Sequence, residues 1–360
     1  MFTHGPRGGA KPHTTASGEA HMASAKKQFS FISASNERIS PLLTGAVEVE
    51  GAELVWTNSD PSETFWRQLK FEEFEVCEMS FSSLLIALAN GVDMVGIPVF
   101  PSRRFMHALI SVHSDSGVEK PNDLNGKRIG VGEYQQTASL WLRGVLQHDF
   151  GVDQFSVDWY MERSEELSHG GATGFKPMDG IKFNRIPNDK SLATMLAANE
   201  IDAAPIGRAF SNEKNIIDRS TTIRPANADW SKVKPLFPDF IAEGTRFFNE
   251  HGYVPANHCY AIRGDVYREN PWLAFNLYSA FVRAKEAWYD QLSSKVPSDL
   301  IFGSQYMAQT RAIFGSDPYP YGVKDNAKMM DTMIGFSHEQ GFIPRKLEFE
   351  EIFAKNLLDL

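Results

Sequence analysis

The chain has 360 residues, of which 42% are hydrophobic and 12% aromatic, and a formal net charge of -9. That is enough apolar material for a large core divided into two lobes, and the negative balance argues against a nucleic-acid or anionic-membrane partner, because both attract basic patches. No stretch reaches the roughly 20 apolar residues needed to span a bilayer, so the expected setting is cytoplasmic.

Residues 1–27 are rich in Gly, His, Thr and Ala and hold no apolar run that could form a signal-peptide core. They read as a disordered start or a cloning remnant, with His-Met-Ala-Ser at His21 as the junction. A first lobe is expected over residues 28–113. It begins with a strand at 29–33, a polar turn at 34–38 and a strand at 53–56. A helix at 64–71 and a strand at 74–79 come next, then a helix at 80–90 with Ser80 as N-cap and Gly91 as its stop. Strands at 95–98 and 105–112 complete this alternation, which is the pattern of an α/β lobe.

A second lobe is expected over residues 114–239. It carries a strand at 128–131, a helix at 137–150, a strand at 158–161, a helix at 190–199 and an apolar run at 201–206. Pro, Asn and Asp punctuate residues 224–238, after which residues 240–360 return to the first lobe through a strand at 258–262. Helices near 271–292, 304–313 and 324–339 follow. Two interlobe crossings result, and the cleft between lobes is where a small ligand is expected.

An acidic protein that binds an anion must concentrate its arginines, and Arg103, Arg104, Arg128 and Arg143 crowd residues 97–151. A strand that feeds the Gly-Glu-Tyr-Gln-Gln-Thr turn and a helix presents free backbone N–H groups and the positive end of a helix dipole. Glu133, Tyr134, Gln135 and Thr137 belong to that turn, with Thr137 the expected N-cap, a role compatible with ligand binding. Trp141 and Arg143 lie beyond it, where stacking on a ligand ring competes with core packing and a carboxylate clamp with an interlobe salt bridge.

His258 begins the returning strand and is the leading proton-transfer candidate, since imidazole gives and takes protons near neutral pH. His107 lies on the outgoing crossing. If 105–112 is a regular strand, Arg103 and His107 share a face and Arg104 points the other way; the Pro-Ser turn before them keeps both arginines as candidate carboxylate clamps. Glu78 ends a strand at the ligand-facing edge of an α/β sheet, where it serves as an acid, a base or an orienting partner for a histidine. Ser80 adds a backbone N–H. Tyr319 and Tyr321 sit in a turn that suits either a cleft lid or a subunit contact, and a homo-oligomer is compatible with the aromatic C-terminal helices. Cys77 and Cys259 lie in apolar strand-like runs without metal or redox spacing and read as buried thiols.

EMSFSSLL at Glu78, GIPVFPSRRFMH at Gly96, GVGEYQQTASLWLRGVLQHDFGV at Gly130, DPYPYGV at Asp317 and the ending FSHEQGFIPRKLEFEEIF together resemble the 4,5-dihydroxyphthalate decarboxylase family. The resemblance spans nearly everything from Phe29 to Phe353. It implies an α/β, two-lobed type II periplasmic-binding-protein-like fold with a central cleft, turned to catalysis on an aromatic dicarboxylate of phthalate breakdown.

The chemistry is coherent with that implication. Removal of CO2 from an arene needs a proton donor at the ring carbon, a group at the phenol and clamps for the carboxylates. A hydroxyl para to the carboxylate makes the ring electron-rich, so no cofactor is required. A divalent ion held by His107, His258 and Glu78 is the minority expectation; no nicotinamide fingerprint or Schiff-base lysine stands out. Two other readings stay open: a solute-binding or sensing protein for an aromatic acid, and an enzyme of pyrimidine or thiamin-precursor metabolism on the same fold.

Overall fold

The computed structural model describes residues 26–206 and 229–360. The expected N-terminal tail, but for its last residues, and the start of the punctuated 224–238 stretch lie outside the described residues. The chain lays down β1 (Lys27–Ser33), β2 (Ala52–Asn58), β3 (Val76–Ser80) and β4 (Met94–Ile97), then crosses to a second sheet. There it forms β5 (Ser111–His113), β6 (Arg128–Val131), β7 (Asp158–Met161), β8 (Lys182–Arg185), β9 (Ala203–Ala204) and β10 (Val233–Pro235), and it returns to the first sheet as β11 (His258–Arg263).

The strand orders are β2-β1-β3-β11-β4 and β10-β5-β9-β6-β7-β8. β1 pairs in parallel with β2 and β3, whereas β11 runs antiparallel between β3 and β4. This is the two-lobed, twice-crossed α/β arrangement expected from the alternation of elements.

Helices α1 (Ser40–Leu43), α2 (Pro61–Phe71) and α3 (Phe81–Ala89) lie among the strands of the first sheet, and α4 (Thr137–Phe150), α5 (His169–Ala172) and α6 (Leu192–Ala197) among those of the second. On the return come α7 (Phe240–His251), α8 (Gly264–Glu269), α9 (Trp272–Asp299), α10 (Gly303–Phe314), α11 (Ala327–Glu339) and α12 (Phe349–Ile352). α3 reads FSSLLIALA, apolar almost all round, and its first seven residues are buried, as a helix wedged between layers must be.

α9 packs on one face of the first sheet, where Phe281 stacks on Tyr260 with centroids 4.4 Å apart. α11 packs against both α3 and α4, so the returning segment touches both lobes. Gly144 makes that contact possible: a Cβ there would lie 2.1 Å from the Phe336 ring.

One expected element is absent. Residues 105–112 do not form one strand: a 3-10 turn occupies Met106–Leu109 and only Ser111–His113 is extended. Aromatic and branched residues favour strand on composition, but here they pack an interlobe crossing instead of pairing with a neighbour strand. The face-sharing argument for Arg103 and His107 therefore fails with the strand it assumed.

Candidate active site

β3 and β11 pair so that His258 faces Ser80 and Tyr260 faces Glu78. Residues two apart on a strand share a face, which sets Glu78 and His258 diagonally together on one side of the sheet. His258 Nδ1 lies 2.6 Å from Glu78 Oε1, and Glu78 Oε2 accepts the Ala34 N–H at 3.0 Å. Glu78 is almost fully buried, its side chain 4% exposed, while that of His258 keeps 19%. A carboxylate accepts only, so Nδ1–H is the donor, and Nε2 is left for the cavity.

The crossing residues separate in a way the sequence did not foretell. Arg103 turns inward and donates to the carbonyls of Val254 and Pro320 and to the Asn326 side chain; burial lowers its pKa to about 10. It borders the larger cavity beside His258, but its donors are spent tying the crossings to the C-terminal segment, so it is not a free clamp. Arg104 does. Its side chain has no hydrogen-bond partner among the described residues, and although the residue is exposed by area, the concave wall around it lowers its pKa through desolvation.

His107 is also corrected. It is buried, and its Nε2 pairs with Glu243 Oε1 at 2.8 Å, among Phe105, Phe150, Phe237 and Phe247. It lines neither of the two cavities that hold His258. The role available to it is to join the outgoing and returning crossings.

The helix entrances differ from expectation too. Ser80 occupies the N-cap position of α3 but makes no side-chain capping bond; its Oγ meets Thr137 Oγ1 at 3.0 Å. Thr137 is the first residue of α4, with Gln136 in the N-cap position, and its Oγ1 accepts the Ser82 N–H at 2.9 Å. The Phe81 N–H goes to Asn257 O. The first two N–H groups of α3 are thus taken by protein, whereas those of Thr137 and Ala138 at the start of α4 have no partner among the described residues.

The rest of the Gly-Glu-Tyr-Gln-Gln-Thr turn is internal. Glu133 is buried, accepts from Ser168 Oγ at 2.5 Å and the Gly170 N–H at 3.3 Å, and faces Arg163; desolvation raises its carboxyl pKa against these partners. Tyr134 stacks on Phe175 and under the Arg143 guanidinium, 3.8 Å from its centroid.

Arg143 itself donates to Tyr134 O at 2.7 Å and Gln340 Oε1 at 2.8 Å, and burial lowers its pKa to about 10. Trp141 donates to Ala256 O at 2.9 Å. Neither Trp141 nor Arg143 lines the cavities around His258; both are core. Tyr321 is buried as well, whereas Tyr319 lies under Arg38 at 3.8 Å and borders the cleft.

Two cavities join at His258, Arg104, Ser102 and Pro61. One, of about 210 Å³, adds Phe65, Ser80, Thr137, Ala138 and His169. The other, of about 320 Å³, adds Glu78, Asn36, Arg38 and Tyr319. His169 was not singled out from the sequence: it sits in a glycine-rich stretch where only the Ser168 N-cap, which accepts the Gly171 N–H at 2.9 Å, marks a helix start.

Glu78, His107 and His258 do not converge as a trio. Among the described residues, metal-ligating side chains close enough to share an ion are Asp149, Glu250 and His251, and Arg246 already bridges Asp149 and Glu250. Among them also, no helix is long and apolar enough to cross a membrane.

Two lobes, two crossings and a cleft between sheets define a protein with the type II periplasmic-binding-protein-like fold. The periplasmic aliphatic sulphonate binding protein SsuA of Escherichia coli superposes with a TM-score of 0.51 at 13% identity over 91% of each chain. A sulfonate-binding SsuA of Methylobacillus flagellatus superposes at 0.51, with 12% identity over 93% of each. No protein-family model matches the chain.

A 4,5-dihydroxyphthalate decarboxylase of Comamonas testosteroni is 30% identical over 331 residues, 91% of this chain and 96% of that protein. One of Pseudomonas putida is 37% identical over 175 residues, 48% of this chain and 68% of that protein. The chain belongs to the 4,5-dihydroxyphthalate decarboxylase family, and it is an enzyme of the lyase class.

Proposed function

We propose that this enzyme converts 4,5-dihydroxyphthalate to protocatechuate and CO2 without a cofactor, by protonating the ring carbon that bears the departing carboxylate. The observation that carries the reading is the Glu78–His258 pair opening on a cavity that also holds the unpartnered Arg104 cation. Arg104 and the free N–H groups at the start of α4 suit the carboxylate that stays.

In this scheme the His258 imidazolium passes its Nε2 proton to the ring carbon. The bond from that carbon to the carboxylate then breaks, and its electron pair restores the aromatic ring as CO2 departs. Neutral His258 recovers a proton from solvent. Glu78, held by the Ala34 N–H, keeps the ring oriented and stabilises its charged form. Phe65, edge-on to His258 at 4.9 Å, gives the substrate ring an apolar neighbour.

The test is incubation of chelator-treated protein with 4,5-dihydroxyphthalate, following CO2 and protocatechuate by chromatography. Product under chelator supports the reading. Product that returns only with an added divalent ion would keep the reaction and overturn its cofactor independence, and saturable binding without product would make the cleft a capture site.

A further inference from the structure

The reaction just described leaves one histidine of the cavity without a task. His169 opens α5 and lines the same cavity as His258, Arg104 and Thr137. Phe65 stands edge-on to both imidazoles, with centroids 5.7 Å from His169 and 4.9 Å from His258, so the two histidines are no farther apart than those distances together. One belongs to each lobe. A ligand ring lying against Phe65 is within reach of both histidines.

Hydrogen bonds settle which nitrogen of His169 meets the ligand. Nδ1 lies 2.7 Å from Gln135 Nε2 and 2.9 Å from Ser83 Oγ, and the Ser83 hydroxyl donates to Gln135 Oε1 at 2.9 Å. An amide N–H only donates, so with Gln135 in this orientation Nδ1 accepts and the imidazole proton sits on Nε2. Nε2 is 3.9 Å from Glu133 Oε2, too far to bond, and that carboxylate already has Ser168, Gly170 and Arg163. Nε2 has no partner among the described residues, yet it is not one of the sealed polar atoms left without one; it opens on the cavity. Burial, with Arg163 and His258 nearby, holds His169 well below the usual imidazole pKa, so it stays uncharged.

We propose, resting on the decarboxylase reading above, that His169 Nε2–H donates to the ring oxygen para to the departing carboxylate and binds that phenol as its phenolate. On binding, the phenol O–H bond breaks, its proton passes to buffer base in solvent, and the electron pair stays on oxygen. A phenolate releases far more electron density into the para carbon than a phenol does, which makes that carbon basic enough to take the His258 proton. A neutral donor fits this task better than a cation, which would hold the same electrons on oxygen. The charged and titratable groups that face His169 are Glu133, Arg163 and His258; Arg104 shares the cavity, as does Asp60, whose carboxylate accepts the Ser62 N–H at 2.9 Å.

The experiment is a pH titration of protocatechuate bound to the full chain, read by the long-wavelength ultraviolet band that appears when the phenol ionises. Bound ligand is expected to ionise about one pH unit or more below free ligand, with proton release on binding in weak buffer near neutrality. His169→Gln, which keeps a neutral donor, should retain part of that shift, and His169→Phe, which keeps a ring, should lose it. Wild-type protein whose bound ligand ionises at the free value overturns the assignment without any variant, and so does a folded, binding His169→Phe protein with the full shift. Failure of the decarboxylase reading registers separately, as no product from 4,5-dihydroxyphthalate, and would overturn both.

Discussion

Thr137 Oγ1 accepts the backbone N–H of Ser82 at 2.9 Å, so a side chain on one lobe caps a helix of the other. The same oxygen meets Ser80 Oγ at 3.0 Å, and Ser82 Oγ donates to Gln135 O at 2.6 Å. Thr137→Val keeps the shape and removes the acceptor. It is expected to destabilise the protein by about 1 kcal/mol, as loss of a helix cap does, with Thr137→Ser close to wild type in thermal unfolding.

Neighbouring arginines should behave oppositely. Arg104→Gln is expected to raise KM for 4,5-dihydroxyphthalate by about 10-fold or more, because it removes a charge-assisted bond to the carboxylate, while thermal stability stays near wild type. Arg103→Gln takes the donor from the Val254 carbonyl and leaves the Pro320 carbonyl with Asn326 alone. Its expected signature is a lower melting temperature, with a cost of about 1–3 kcal/mol and little change in KM for the folded fraction.

Glu78→Gln keeps the volume and removes the charge that supports the His258 imidazolium. Loss of the orienting carboxylate should lower kcat by about 10²-fold or more with little effect on KM. Steady-state kinetics on the two proteins make that comparison.

Stability should fall on the acid side for a reason that can be assigned to His169. Its pKa in the fold lies well below the unfolded value of 6.5, so between those two values the unfolded chain binds a proton that the native state refuses. The full contribution is present above 6.5 and is lost as pH falls from there toward the folded value. Urea unfolding at pH 7.5 and 5.5 should show a smaller drop for His169→Gln than for wild type.

Much of this architecture is legible in the residues because local signals agreed with tertiary ones. The helix at 137–150 matches α4, with Gly151 in the left-handed conformation (φ 66°) as its stop, and the β3–α3 and β11 positions follow from short apolar runs beside Ser and Gly. α7 carries its own start and stop signals, Asp239 as its cap and Gly252 as its end, but they adjoin a segment whose Pro and Asp punctuation reads as loop. The parity of Arg103 and Arg104 could not be read, because it depended on a strand that the crossing replaces with a 3-10 turn. His169 left no local trace of its place. It shares a cavity with His258 through tertiary contacts alone, with Phe65, from a third segment, touching both imidazoles.

The central claim is that His258, backed by Glu78, is the proton source for decarboxylation, and one comparison tests it most directly. Wild type and His258→Gln, both treated with chelator and both shown to bind 4,5-dihydroxyphthalate, are followed for CO2 release under saturating substrate. A fall of about 10²-fold or more in kcat with binding retained is the predicted result. A His258→Gln protein that turns over at the wild-type rate would contradict it.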